Sequence, residues 1–361
     1  MIDFLVIGGG IAGTSAAAAL STLGAVTLLE AEPALGYHAS GRSAAMFLES
    51  YGNGPVRALN AASAATHRET GVLSPRGLLI VAGPGEEERF ARTHAAFGAT
   101  PVTPGEAAAL WPILDTAACT RAAHLGEVFD LDTDRLLQHF ARTARENGAV
   151  IRTGHTVSAV TRLDGGWAVE ARSGGETTTI EARILVNAAG AWADQVAAMA
   201  GVPSPGIQPY RRSMARIPAP GGLDTRSWPF VDEVAERWYA KPDAGAWLVS
   251  PAEEDPMDPH DAWADDMVIA EGLARYEAFV TEPVTRVETT WAGLRSFAPD
   301  RALVIGPAPS DPAFLWCAGQ GGYGFQTAPA ASRLLADLVA GRPPELDPAL
   351  CAALSPARFP A

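Results

Sequence analysis

Met1-Ile-Asp-Phe-Leu-Val-Ile-Gly-Gly-Gly-Ile-Ala-Gly13 opens the chain. An apolar run breaks into glycines and an alanine-rich stretch follows, which reads as strand, tight turn and helix. Gly8, Gly10 and Gly13 have the G-x-G-x-x-G spacing. In that spacing the first glycine permits the turn, the second lets a pyrophosphate approach the backbone, and the third lets helix and strand pack closely. Ile11 and Ala12 then begin a helix predicted over 11–23, whose free N–H groups and dipole favour an anion. A second strand is predicted over 25–29 and runs into Glu30 and Ala31. An acid about 20 residues past the glycines can accept hydrogen bonds from a ribose. The spacing alone also fits an ordinary glycine-rich turn; the strand–helix–strand–acid context is what points to a dinucleotide.

At 361 residues the chain has room for two domains and a large core. Its formal charge of −14 argues against nucleic acid, whose binding needs Lys and Arg to neutralise phosphates, and against strong docking on anionic lipid. No segment approaches the ~18 consecutive apolar residues of a membrane span, and no basic stretch precedes the first apolar run as a signal peptide requires. The three cysteines, Cys119, Cys317 and Cys351, are far apart, so neither a disulfide framework nor a zinc site is expected, and a cytoplasmic setting fits.

Three stretches read as Rossmann-like: residues 2–30; a helix over 134–146 followed by strands near 149–152 and 184–187; and a C-terminal block with strands near 302–305 and 314–317 and a helix over 325–340. Between them, 213–217, 238–241 and 284–291 alternate as antiparallel strands do. The expected architecture is an α/β fold in which a discontinuous nucleotide domain carries a mainly antiparallel insert.

A second glycine-dense loop decides the cofactor. Leu315-Trp-Cys-Ala-Gly-Gln-Gly-Gly-Tyr-Gly-Phe-Gln-Thr327 again reads as strand, loop, helix. Gly319, Gly321, Gly322 and Gly324 let backbone lie flat against something bulky and planar. The helix starting near Phe325 and Gln326 aims its positive end there, where it would stabilise negative charge on a reduced isoalloxazine. A nicotinamide enzyme leaves this loop without a purpose, so the dinucleotide reads as FAD. Ile184-Leu-Val-Asn-Ala-Ala-Gly-Ala-Trp192 supplies a third strand ending in small residues, Ala188, Ala189 and Gly190, that can touch a cofactor.

With these motifs in place the chain resembles the D-amino-acid oxidase-like family of FAD-dependent oxidoreductases, and within it the bacterial D-arginine dehydrogenase and D-amino acid dehydrogenase group. The resemblance runs through Gly36-Tyr-His-Ala-Ser-Gly-Arg-Ser-Ala-Ala45, Leu73-Ser-Pro-Arg-Gly77, Asp132-Thr-Asp134, Asn187-Ala-Ala-Gly-Ala-Trp192, Tyr239-Ala-Lys-Pro-Asp-Ala-Gly245, Trp291-Ala-Gly-Leu-Arg-Ser-Phe297 and Gln320-Gly-Gly-Tyr-Gly324. It implies a two-domain FAD-linked reductase fold, with 1–75, 130–205 and 293–361 as the FAD domain and 76–129 and 206–292 as the substrate domain. It implies non-covalent FAD, although His38 stands in a loop where some relatives attach the flavin. Gly41, Arg42, Ser43, Ala45, Met46, Val157, Trp192, Gly293 and Tyr323 are expected to join the glycine motifs around the cofactor.

The resemblance also implies a substrate carboxylate clamped by Arg212 and Arg295, closed by Tyr51 and Tyr239, with the Gly322 carbonyl receiving the amine. A planar guanidinium suits a bidentate carboxylate and keeps its charge when desolvated. The implied reaction is hydride transfer from Cα to flavin N5, giving a 2-imino acid that hydrolyses to a 2-oxo acid and ammonia. The chain departs from the D-arginine pattern at three places. Gly77-Leu78-Leu79-Ile80 lacks the acid that follows the Ser-Pro-Arg motif there, and Met46 and Leu48 stand where that enzyme has polar residues. An unpaired buried guanidinium is costly, so an apolar D-amino acid is the expected substrate. The clamp equally fits a secondary amine or a 2-hydroxy acid, and a non-catalytic FAD-binding subunit is the alternative from another class. The electron acceptor is left open among a quinone, O2 and an electron-transfer protein.

Overall fold

The computed structural model describes residues 1–360. The expected segments appear with shifted ends: strand Ile2–Ile7, helix Ile11–Leu20, strand Val26–Leu29, helix Thr133–Glu146 and strand Val150–Arg152. Ile2–Ile7 is flanked in parallel by Val26–Leu29 on one side and by the end of Glu176–Asn187 on the other. The far side of Asn187 pairs in parallel with Asp311–Ala318. Three adjacent parallel strands thus end together, in Gly8, Ala188 and Gly319, the three places the sequence marked. Ligands of open parallel sheets bind beyond the carboxyl ends of the strands.

Side-chain alternation explains why this sheet is buried on both faces. Phe4 and Val6 enter the core beneath helices Ile11–Leu20, Gly54–Glu69, Thr133–Glu146 and Gly324–Ala340, whereas Leu5 and Ile7 enter the one under helix Ala193–Ala200. The sequence reading missed the crossover between Val150–Arg152 and Ile184. It is an antiparallel meander, Thr156–Leu163 and Gly166–Ser173 leading into the first half of Glu176–Asn187. Polar and exposed residues along it hide its strand character.

A second sheet has nine strands drawn from 78–125 and 208–297, antiparallel throughout except where Phe230–Glu233 runs parallel to Leu78–Ala82. Its core gathers Trp111, Trp228, Trp238 and Trp247 with Tyr276. Residues 208–216 pair with the whole of Thr289–Phe297. The latter strand crosses the boundary expected at 293, so Gly293 and Arg295 belong to this sheet while reaching the cofactor cleft. A three-stranded ribbon, Met46–Phe47, Phe129–Leu131 and Leu73–Pro75, bridges the two sheets in sequence. Among the described residues no helix is long and apolar enough to cross a membrane, and no cluster of three or more His, Cys, Asp or Glu stands ready for a metal.

Candidate active site

A cleft of about 700 Å³ opens at the strand ends and is lined by Gly8, Gly10, Glu30, Ala31, Val157, Ala188, Ala189, Gly190 and Trp192. Its floor admits no side chains. Gly8 has φ +108°, and a Cβ there would lie 2.4 Å from the Ala188 carbonyl oxygen. A Cβ on Gly13 would lie 1.8 Å from the Gly8 carbonyl oxygen, so Gly13 packs helix against strand and does not itself line the cleft. Helix Ile11–Leu20 starts at Gly10 with no side-chain cap of its own, and Ser40 Oγ accepts from Ile11 N at 3.0 Å. Glu30 is fixed by two backbone donors, Gly9 N at 2.6 Å and Glu32 N at 2.8 Å.

Several residues expected at the cofactor are also tied to neighbouring loops and rings. The Arg42 guanidinium donates to the Ala262 and Ala292 carbonyls at 2.8 and 2.9 Å and pairs with Asp261 at 2.5 Å. Arg42 lines both the cleft and the neighbouring cavity, while these donors tie the 261–262 loop and the Thr289–Phe297 strand. Gly41 closes its turn by donating to the Gly36 carbonyl at 2.6 Å, and it lines neither cavity. Tyr323 packs edge-on against Tyr51 and Phe297, also outside the cavity walls. His38 lies on the wall of the large cleft only, with Nε2 at 3.0 Å from Glu32 and its ring against Trp192. That position suits the nucleotide end and not a bond to a flavin.

A second cavity of about 140 Å³ continues from Gly10, Ile11 and Ala12 to the C-terminal glycine loop, with Ser43, Ala45, Met46, Gly293, Gly321, Gly322, Gly324, Phe325 and Gln326 in its wall. Gly321 has φ +51° and a Cβ there would collide with the Phe297 ring at 2.3 Å. The helix Gly324–Ala340 begins at this wall and is interrupted by Pro329. The neighbouring helix Gly54–Glu69 repairs the break. Ser63 Oγ accepts from Ala330 N at 3.1 Å, which leaves the Gln326 carbonyl free, and His67 Nε2 donates to that carbonyl at 2.8 Å. Burial holds His67 below the usual histidine pKa, consistent with a neutral ring in that role. Gln326 Oε1 in turn accepts from Leu48 N at 2.8 Å, and Asn60 Nδ2 donates to the Tyr51 carbonyl at 3.0 Å. Opposite, Lys241 donates to the Ala44 carbonyl at 2.9 Å and pairs with Asp130, which also pairs with Arg76. The segment 43–51 is therefore pinned from both sides.

Beyond it lies an outer cavity of about 120 Å³ that shares Ser43–Met46, Arg212, Tyr239, Arg295, Gly322 and Gln326 with the second one. The shared residues mark the joint between the two cavities. Arg295 has no hydrogen bond or ion pair among the described residues, and a Cβ on Gly322 would sit 3.2 Å from its Cζ. Arg212 is already held: Nε donates to the Glu253 carbonyl at 2.8 Å and Nη2 pairs with Glu254 at 3.1 Å. Its Cζ lies 5.9 Å from the centroid of the Tyr239 ring, whose hydroxyl faces Met214 Sδ at 3.4 Å. Tyr51 lines the cavity, and burial raises its pKa.

Met46, Leu48 and Leu78 line this outer cavity, together with Phe97 and Phe230. The three apolar positions are not the whole wall, because Asp232 and Glu236 line it too. Asp232 stands on the neighbouring strand, in register with Ile80 and Tyr239. Desolvation by burial pushes Asp232 up to about 8, with Glu236 and Glu233 adding repulsion. The available signal was the alternation Phe230-Val-Asp-Glu233, which puts Asp232 on the face of Phe230.

A family model described as FAD dependent oxidoreductase (DAO) matches residues 3–338. The chain belongs to this family. FAD is thus its cofactor, and the side-chain-free floor beneath Gly8, Gly10 and Ala188 fits a dinucleotide lying against backbone. Among curated relatives, FAD-dependent oxidoreductase domain-containing protein 1 of Bos taurus is 31% identical over 183 residues, 45% of this chain and 37% of that protein. A D-amino acid dehydrogenase of Xanthobacter autotrophicus is 42% identical over 71 residues, 20% of this chain and 16% of that one. These matches span well under half of either relative's length. The fold is shared over nearly full length with glycine oxidase from Geobacillus kaustophilus, at TM-score 0.83 and 22% identity, covering 100% of this chain and 99% of that one.

Proposed function

We propose that this member of the FAD-dependent family oxidises the Cα–N bond of a D-amino acid, producing a 2-imino acid that hydrolyses to a 2-oxo acid and ammonia. The observation that carries the reading is Arg295: a half-buried guanidinium with no hydrogen-bond or ion-pair partner among the described residues, on the wall shared by the cofactor-side and outer cavities. An unpaired cation in such a place is costly unless a ligand anion completes it. A substrate carboxylate does so, with Arg212 as a second donor whose orientation Glu254 and the Glu253 carbonyl maintain.

In this reading Tyr51 and Tyr239 close over the carboxylate, and the Gly322 carbonyl accepts from the substrate nitrogen; all three residues line the outer cavity. The protonated amine must lose its proton before its lone pair can assist oxidation, so an uncharged acceptor at that nitrogen suits the reaction better than a carboxylate. Bound FAD supplies the two-electron acceptor. The residues present to hold it are those of the glycine floor, with Glu30 toward the ribose and the start of helix Gly324–Ala340 toward the flavin. Fixing the carboxylate and nitrogen together restricts the substrate to one orientation, the main contribution expected of the protein. The D hand follows the likeness to D-amino acid dehydrogenases in the Trp291–Phe297 and Gln320–Gly324 motifs.

The test is anaerobic mixing of the FAD-loaded protein with D- and L-amino acids, watching the flavin absorbance. Bleaching by a D-amino acid supports the reading. Bleaching only by N-substituted amino acids or 2-hydroxy acids replaces the substrate class, and bleaching by no carboxylate compound overturns it. Readmission of air then separates an oxidase, which recovers its colour within seconds, from a dehydrogenase, which needs an added acceptor.

A further inference from the structure

The outer cavity contains two carboxyls that the reaction described above does not use. Asp232 and Glu236 line only this cavity and are absent from the cofactor-side wall, whereas Arg212, Arg295, Tyr239 and Gly322 belong to both. The reacting carbon therefore lies toward the shared residues, and the two acids lie further out, along the path of a side chain. Resting on the amino-acid reading, we propose that Asp232, with Glu236 beside it, is a specificity-determining residue that receives a positively charged nitrogen at the end of the substrate side chain. The preferred substrates are then amino acids with a methylene stem ending in an amine or guanidine.

Neither carboxyl has a hydrogen bond or an ion pair to a side chain among the described residues, although cations are close in sequence. Arg237 is committed to Glu233 at 2.6 Å and to Glu86 at 2.5 Å on the opposite face of the strand. Arg212 and Arg301 share Glu254. Asp232 is thus a half-buried acid without a side-chain partner, with the exposed Glu236 beside it, on the wall of a cavity that also holds Arg212 and Arg295. An acid whose ionised form is disfavoured by its surroundings gains from a cation brought by the ligand. The remaining walls, Met46, Leu48, Leu78, Phe97 and Phe230, offer apolar surface for the methylenes of such a side chain while its charged tip reaches the acids. Serving the α-nitrogen instead would stabilise the protonated amine, which is the form that resists oxidation.

The experiment compares kcat/KM for D-lysine and D-norleucine, which differ by the terminal ammonium, using the FAD-loaded protein with a redox dye; the L forms are run alongside. The expected ratio favours lysine about tenfold or more and falls about tenfold or more in D232N, with a smaller fall in E236Q. Flavin absorbance reports that each variant is folded and loaded. The ratio should also rise between about pH 7 and pH 9 as Asp232 loses its proton; Arg212, Glu233, Glu236 and Tyr51 are the charged and titratable groups around it. A wild-type preference for norleucine, or an unchanged ratio in D232N, overturns the proposal. If neither amino acid is oxidised in either hand, the amino-acid reading fails, and titration of the flavin spectrum with the same two compounds decides the cavity separately. Equal or absent binding of the two then overturns the assignment of Asp232.

Discussion

The cofactor cleft and the outer cavity are neighbours built on opposite plans. In the cleft, Gly8, Gly10, Ala188 and Gly321 keep side chains out so that a ligand can meet backbone. In the outer cavity, strands from distant parts of the chain push long side chains in: Arg212 from Gln208–Ile217, Asp232 from Phe230–Glu233, Arg295 from Thr289–Phe297. The first plan tolerates almost no substitution and fixes what the protein carries. The second tolerates many and fixes what it acts on. Damage to the two should therefore look different.

The sharpest break comes from Gly13→Val. A Cβ there falls 1.8 Å from a backbone oxygen that cannot move without displacing the first strand. The variant should lose about 3 kcal/mol or more of stability and purify without FAD, as judged by denaturant unfolding and flavin stoichiometry. A stable, yellow Gly13→Val protein would mean that the floor is not as rigid as described. Next comes Arg295→Met, which should lower kcat/KM by about a hundredfold to a few thousandfold while the flavin stays bound. Loss of FAD from this variant would merge the two regions into one.

His67→Ala probes the cleft from behind, since it removes the donor to the Gln326 carbonyl and a contact with Phe47. It should cost about 1–3 kcal/mol in unfolding free energy with a modest effect on substrate KM. The pH dependence follows from the same residue. Its pKa is lowered in the folded protein, so the unfolded chain binds the proton more readily. The stability that His67 contributes is present above about pH 6.5 and is lost as pH falls through the lower folded value. His67→Gln should flatten that part of the stability profile. The smallest effect is Tyr51→Phe, about two- to tenfold in kcat/KM and none in flavin content.

The two plans also differ in how much of them can be read in the sequence. Glycines are legible because their spacing reports a steric rule that holds within one strand–turn–helix unit. That is why Gly8 and Gly10, Gly319 and Gly321, and the small residues 188–190 located three strand ends that turn out to be adjacent. Gly13 had the right spacing but packs helix against strand and does not line the cleft. Arginine is less legible because its partners come from elsewhere. Nothing near Arg42 in sequence announces the carbonyls of Ala262 and Ala292, some 220 and 250 residues away. Asp232 was hard to read for a related reason. The alternation over 230–233 gave its face, but only the parallel pairing with Leu78–Ala82 shows that it stands beside an apolar stretch in which the sequence shows no acid. The meander over 156–187 was hidden by its exposure, which removes the apolar alternation by which strands are recognised.

The three parallel strands that end at the cleft come from residues 2–7, 176–187 and 311–318. Synthesis delivers them in that order, so the nucleotide site stays open on one side until Asp311–Ala318 and the helix behind it have been made. FAD cannot be enclosed by a growing chain that holds only the first two walls. Enclosure of the cofactor is thereby tied to the synthesis of the third wall, some 300 residues after the first.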